Sequence, residues 1–325
     1  RFEEFDPGTV NHALVHHIAG FSYIAFGENY CSGVPFSTLN DDGTITFGTP
    51  QTTDQMFETA LSSFDAALGI VGSDTDDDAT TQRDLAAVGK GRALLNLGEA
   101  AGAAAAVANV PIDFVYLIEH STNSARQQNP VFTLVNVSRR FSVPESEGGN
   151  GIAWRSADDP RAPEILNPVN PIGLDNETPS FVPLKYDSRD ADIPLATGIE
   201  AELIKAEGEL QAGDAVGMLL ILNNLRATQA PDGSTLPPLA DPGTQVGRED
   251  LLFDERAFWL YLTAHRLGDF RRLIRDYGRD AETVFPTGQY HKSGALPYGP
   301  DVNFLLPDDE ANNPNVSGGC LDRDA

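Results

Sequence analysis

Three groups of side chains in this 325-residue chain have types and spacing that could do chemistry. His12, His16 and His17 put two imidazoles four residues apart, a separation that on a helix can hold a metal ion. Ala13 stands where the glutamate of a catalytic H-E-x-x-H zinc site would be, so the expectation is core or surface histidines. The run "SDTDDD" (73–78) offers Asp74, Asp76 and Asp78 to calcium. Ala79 and Leu85 occupy the glycine and glutamate positions of an EF-hand loop, which leaves a solvated acidic turn as the expectation. Cys31 and Cys320 are the two cysteines; they are either one disulfide clasp or two unpaired thiols, and alone they cannot build a zinc site. No P-loop, nucleophile elbow or dinucleotide glycine fingerprint occurs, so no cofactor and no metal site are expected.

The net charge is −26, with 48 acidic residues against 22 Lys and Arg. Such a field repels polyphosphate, which excludes nucleic acid as a partner. No apolar run reaches the 18 or so residues of a transmembrane helix, and Arg1 opens neither a signal segment nor an initiator methionine, so processing or truncation is expected.

The elements that must carry these groups are mostly helical. Val10, Leu14, Ile18, Phe21 and Ala25 predict an amphipathic helix over 9–26. Thr52 and Gln55 form a capping-box pair opening a helix through Phe57, Leu61, Phe64 and Leu68 to a stop at Gly69. Helices over 85–97 and 100–109, split by Gly98, make one hairpin. Ile199 to Leu210, a turn at Gly213 and Ala215 to Arg226 make a second. Between them, "DFVYLIE" and "VFTLVNVS" alternate like short strands among proline- and glycine-rich loops. The stretch 250–277 reads as one long helix on which Asp269 would pair with both Arg266 and Arg272. The predicted fold class is mainly α: a helical-hairpin, tetratricopeptide-like scaffold with an irregular, loop-rich insert containing short strands.

Glu255, Arg256, Leu260, Arg266, Asp269 and Arg272 fall on the late-helix pattern of the SusD/RagB family of outer-membrane nutrient-binding lipoproteins, which this chain resembles. Trp259 and Thr263 replace acids of that pattern, Ala264 replaces its glycine and Phe270 its leucine. Gly27, Val34 and Pro35 resemble the family's "fG-xVP" turn. Glu200, Ala201, Leu203, Ile204, Ala206, Glu207, Asn223 and Arg226 resemble its "EA-x-LI-x-AEA…N-x-x-R" hairpin. "SADDPR" and "NFLLPDDEANNPN", with Pro307, Glu310, Asn313 and Pro314, resemble two further segments in the same order.

The resemblance implies a single SusD-like domain over 1–325, with the helical scaffold at 9–110 and 196–280, the insert at 111–195 and a C-terminal loop segment at 281–325. It implies a noncatalytic extracytoplasmic protein that captures a glycan or peptide nutrient for a TonB-dependent, SusC-like transporter. Cys31 lacks the small apolar neighbours of a lipobox, so any lipid anchor is expected in a segment outside this chain. Family ligand contacts vary in position, so none carries over; Trp154, Tyr290 and Tyr298 are nominated as ligand-binding residues because flat aromatic faces suit a sugar's C–H groups. The alternative is a structural subunit that uses the same scaffold to brace another membrane-associated complex. A helical glycoside hydrolase is a third reading, and it needs a carboxylate pair facing a cleft.

Overall fold

The computed structural model describes residues 8–228, 230, 233–292 and 294–325. Helix α1, Val10–Asn29, is capped by Thr9, whose hydroxyl accepts from His12 N at 3.2 Å. Helix α2, Thr53–Val71, starts with the expected reciprocal capping box of Thr52 and Gln55 and runs to Gly72, one turn past the predicted stop. Helix α3, Asp77–Asn96, begins two turns earlier than predicted, because Asp76 caps it by accepting from Ala79 N at 2.7 Å. The acidic run 73–78 is therefore a helix start. Helix α4, Ala100–Ala106, follows Gly98, whose φ of +75° turns the chain at no steric cost.

Helix α1 does not bury the predicted stripe. Val10, Ile18 and Ala25 face outward, and His12, Ala13, His17, Gly20, Phe21, Ile24, Gly27 and Glu28 face the core. Close approach outweighs hydrophobic periodicity here. A Cβ on Gly20 would stand 2.7 Å from the Phe64 ring and one on Gly89 2.3 Å from it, so only glycines let α1 and α3 close on that ring. Phe21, Ile24, Phe57, Phe64, Leu85 and Val88 complete this first core.

His17 lies inside that core against Phe64, with both ring nitrogens lacking a hydrogen-bond partner. Burial first, and the neighbouring His16 second, push its pKa down from 6.5 to about 4. The unfolded chain thus takes up a proton that the folded state refuses, and stability falls as pH drops from 6.5 towards about 4. In His17→Leu, urea midpoints at neutral pH and near the lower end of that window should differ less than in the wild type. An unchanged acid loss would show that His17 does not cause it.

The second hairpin, α5 (Gly198–Gln211) and α6 (Ala215–Ala227), packs Leu203, Leu210, Met218, Leu222 and Leu225 against Leu252 and Trp259 of α7, Gln245–Trp259. The expected single helix over 250–277 is two helices, α7 and α8 (Arg266–Arg275), broken at 260–265. Leu262 and Ala264 there have φ of +57° and +63°, which costs on the order of 1 kcal/mol for each non-glycine residue. Distant groups take up the freed carbonyls: Lys185 Nζ donates to Tyr261 O at 2.5 Å, Tyr186 Oη to Leu262 O at 3.2 Å and Arg92 to Ala264 O at 3.0 Å.

The insert holds two antiparallel strand pairs, Val115–Ile118 with Ile193–Thr197 and Glu164–Leu166 with Phe181–Pro183. "DFVYLIE" thus contains a strand, but "VFTLVNVS" is helical over 130–137. Asn129 decides this. It is fully buried, is pinned to Arg189 O and Ala191 O, and its side chain caps Phe132 N at 2.9 Å just ahead of Pro130 at the first helical position.

Cys31 and Cys320 are joined in a disulfide, with Cα atoms 5.8 Å apart. It fastens the end of α1 to the C-terminal segment. Among the described residues no helix is long and apolar enough to cross a membrane.

Candidate functional site

The late helices are held by a buried ionic network. Asp269 accepts from Arg256 at 2.9 Å through both its oxygens and pairs with Arg272 at 3.0 Å; Arg272 also bonds Glu207 at 2.9 Å. Arg266 does not join Asp269 as predicted. The helix break turns it towards the insert, where it bonds Glu147 at 2.8 Å and lies 4.1 Å over the Phe270 ring. A second cluster sets Glu255 between Arg161, at 2.8 Å, and Arg226. Scarce cations are spent inside the protein and fix the faces on which the insert rests.

On that support the insert and the C-terminal loop enclose a groove of about 960 Å³. One side is the segment 139–143. Leu174 N donates to Arg139 O at 2.9 Å, Ser142 Oγ to Pro179 O at 2.8 Å, and Val143 N to Phe181 O at 2.9 Å. These bonds leave Phe141 standing out of the wall, 61% exposed. The other side is built from residues 287–292 and 294–298, joined by Tyr298 N to Gly288 O at 3.0 Å and tied to the insert through Asn150 Oδ1, which accepts from Thr287 N at 2.9 Å. It presents Tyr290 and Tyr298 edge to face, ring centres 5.6 Å apart, with His291 beside Tyr290. Aromatic faces alternate with charge: Arg139, Arg140, Arg155 and Lys292 on one hand, Glu145 and Asp175 on the other.

Lys292 first, and the Thr178 hydroxyl and backbone N–H next, hold the Asp175 carboxyl well below the usual carboxylate range, so it is a fixed acceptor. Glu145 pairs with Arg155 at 3.2 Å, and the Arg155 guanidinium lies 4.0 Å over Phe181. Burial pushes the Tyr298 phenol up, which keeps it a neutral donor. The groove thus offers flat apolar rings, two prepaired ion couples and two further cations, Arg139 and Arg140, to a polar ligand.

Of the nominated residues, Tyr290 and Tyr298 meet in this groove and Trp154 does not. Trp154 is 6% exposed, packs against Phe258 and Tyr261, and donates to Glu147 Oε1 at 3.0 Å. It walls a second cavity of about 370 Å³, which shares Phe141, Ser142, Val143 and Pro144 with the groove. Sequence reasoning missed Phe141. The available signal was an aromatic after Arg139 and Arg140 in a loop-rich stretch, obscured by reading the preceding residues as a strand. His12 and His16 lie side by side, centroids 5.2 Å apart, while His17 turns into the core. Among the described residues no cluster of three His, Cys, Asp or Glu could hold a metal ion.

No protein-family model matches the chain, and no curated protein matches it by sequence. Solved structures match it in three dimensions. A SusD-like carbohydrate binding protein from Bacteroides fragilis superposes with a TM-score of 0.62 at 14% identity, covering 94% of this chain and 79% of its own. Surface glycan-binding protein A from Bacteroides uniformis gives 0.61 at 13%, covering 95% and 78%. A laminarin binding SusD-like protein gives 0.60 at 12%, also covering 95% and 78%. In a SusD-like carbohydrate binding protein from Bacteroides vulgatus the chain spans 62% of the length. The fold of the chain is SusD-like.

Proposed function

We propose that this protein captures a glycan, without catalysis, in the groove between the insert and the C-terminal turn. The observation that carries the reading is the meeting of Phe141, Tyr290 and Tyr298 around fixed polar groups: rings take a sugar's C–H faces and the ions take its hydroxyls. Two of the structural neighbours are described as carbohydrate or glycan binding and a third as laminarin binding, which supports the same class of ligand. A noncatalytic role agrees with the groove's carboxylates, since Glu145 and Asp175 are each held by a cation. In this reading the protein works outside the cell and delivers its ligand to a TonB-dependent transporter, and Tyr290 and Tyr298 are the contact residues.

A glycan array followed by calorimetry tests the ligand. Tyr298→Ala and Phe141→Ala should each weaken the best glycan by about 10-fold, the loss of one stacking surface, with folding unchanged. Wild-type affinity in both variants would remove the groove from consideration. Recovery of the protein from its native membrane with an unrelated complex in fixed stoichiometry, instead of a transporter, would overturn the delivery role.

A further inference from the structure

The second cavity has a chemistry that the groove does not. Its walls are apolar: Phe141, Val143, Pro144, Trp154, Tyr261 and Leu262. The ionisable groups that reach it are already engaged. Glu147 accepts from Trp154 Nε1 at 3.0 Å and from Arg266 at 2.8 Å. Asp269 is taken by Arg256 and Arg272. His265 lies 2.9 Å from both Glu200 and the Thr263 hydroxyl.

A bare sugar entering this space would leave its hydroxyls dry and unpaired, at about 1 to 3 kcal/mol each. An aromatic ring would lose nothing and would gain the exposed ring of Phe141 and those parts of Trp154 and Tyr261 that line the cavity. Two donors among the lining residues are left over: Arg266 Nε and Arg256 Nη1 are buried and have no hydrogen-bond partner. Such donors suit an uncharged acceptor, the carbonyl of an ester. Since the cavity and the groove meet at 141–144, one ligand can place a sugar in the first and an attached group in the second.

We propose that the cavity walled by Trp154 and Tyr261 is a subsite for an aromatic ester substituent, so that the preferred ligand is an aryl-esterified glycan. This deepens the glycan reading and rests on it. The aryl pocket can nevertheless be tested by itself.

Methyl ferulate, a small aryl ester with no sugar, serves as the first probe, read by calorimetry and by intrinsic tryptophan emission, to which Trp154 and Trp259 both contribute. Ala257 and Val135 line this cavity and not the groove, so Ala257→Leu and Val135→Phe fill it while leaving the groove's own side chains in place. Both variants are checked by circular dichroism, and either one that folds suffices. Methyl ferulate should bind the wild type and bind the filled variant at least about 10-fold more weakly. A feruloylated oligosaccharide should bind about 10-fold more tightly than the same oligosaccharide after mild alkaline removal of its ester, and filling the cavity should abolish that difference.

No saturable binding of methyl ferulate to the wild type, or equal binding by the filled variant, overturns the subsite whatever the groove does. Cavity-dependent binding of methyl ferulate by a protein that takes no glycan at all would uphold the aryl pocket and sink the glycan reading instead. Equal affinity for the esterified and de-esterified oligosaccharide would overturn the claim that the two sites act on one ligand.

Discussion

Asp269→Ala should lower the stability of this protein by about 3 to 5 kcal/mol, the usual cost of stripping one partner from a buried ion pair. Asp269 is 2% exposed and sits between Arg256 and Arg272, which are themselves 2% and 1% exposed. Without it two guanidinium groups share the single carboxylate of Glu207, which Arg272 reaches at 2.9 Å but Arg256 only at 3.6 Å. Water cannot reach them to compensate, and unlike lysine an arginine does not shed its charge. Burial alone would push the Asp269 carboxyl up, but Arg256 and Arg272 overcome it and hold the group well below the usual range. Its contribution is therefore present at all pH values above the unfolded carboxylate range and is lost only as pH falls through the depressed value. Urea unfolding at neutral pH measures the effect. A loss under about 1 kcal/mol would mean that the network relaxes or hydrates, as exposed pairs do.

Removing the disulfide should cost a comparable amount. Cys31 and Cys320 are 289 residues apart, and in the chain-entropy model cross-linking so long a loop contributes roughly 5 to 6 kcal/mol by restricting the unfolded chain. Around the bond the C-terminal segment is held mainly by hydrogen bonds, among them Cys31 N to Phe304 O and Phe304 N to Asn29 O, each 2.8 Å, Leu321 N to Ser32 O at 2.8 Å, Asn313 Nδ2 to Gly48 O at 3.1 Å and Asn315 Nδ2 to Phe47 O at 3.0 Å. Leu305 and Leu321 are largely exposed, so little apolar burial would keep this segment in place on its own. The Cys31→Ser, Cys320→Ser double variant should melt about 10 °C lower, with amide exchange quickened first in 301–325 and 29–51. A melting point within a degree or two of the wild type would show that these contacts suffice without the bond.

What the chain's local chemistry determined by itself is considerable. The reciprocal cap of Thr52 and Gln55, the glycine turn at Gly98 and the hairpin through Gly213 act over a few residues, and each of these caps and turns stands where its signals put it. The order of Glu255, Arg256, Asp269 and Arg272 marked the SusD-like core before any contact was known, because buried ions demand partners wherever they fold.

Other features were settled only in three dimensions. No proline or glycine announces the break at 260–265; it exists because Lys185, Tyr186 and Arg92, distant in sequence, take its carbonyls. The buried Asn129 turned an alternating apolar run into a helix, and the ring of Phe64 chose which face of α1 to bury. The groove is the extreme case. Phe141 comes from the insert, and Tyr290 and Tyr298 from the last loop. Nothing in the spacing of either segment refers to the other, because a binding surface assembled from loops depends on where the scaffold sets their ends.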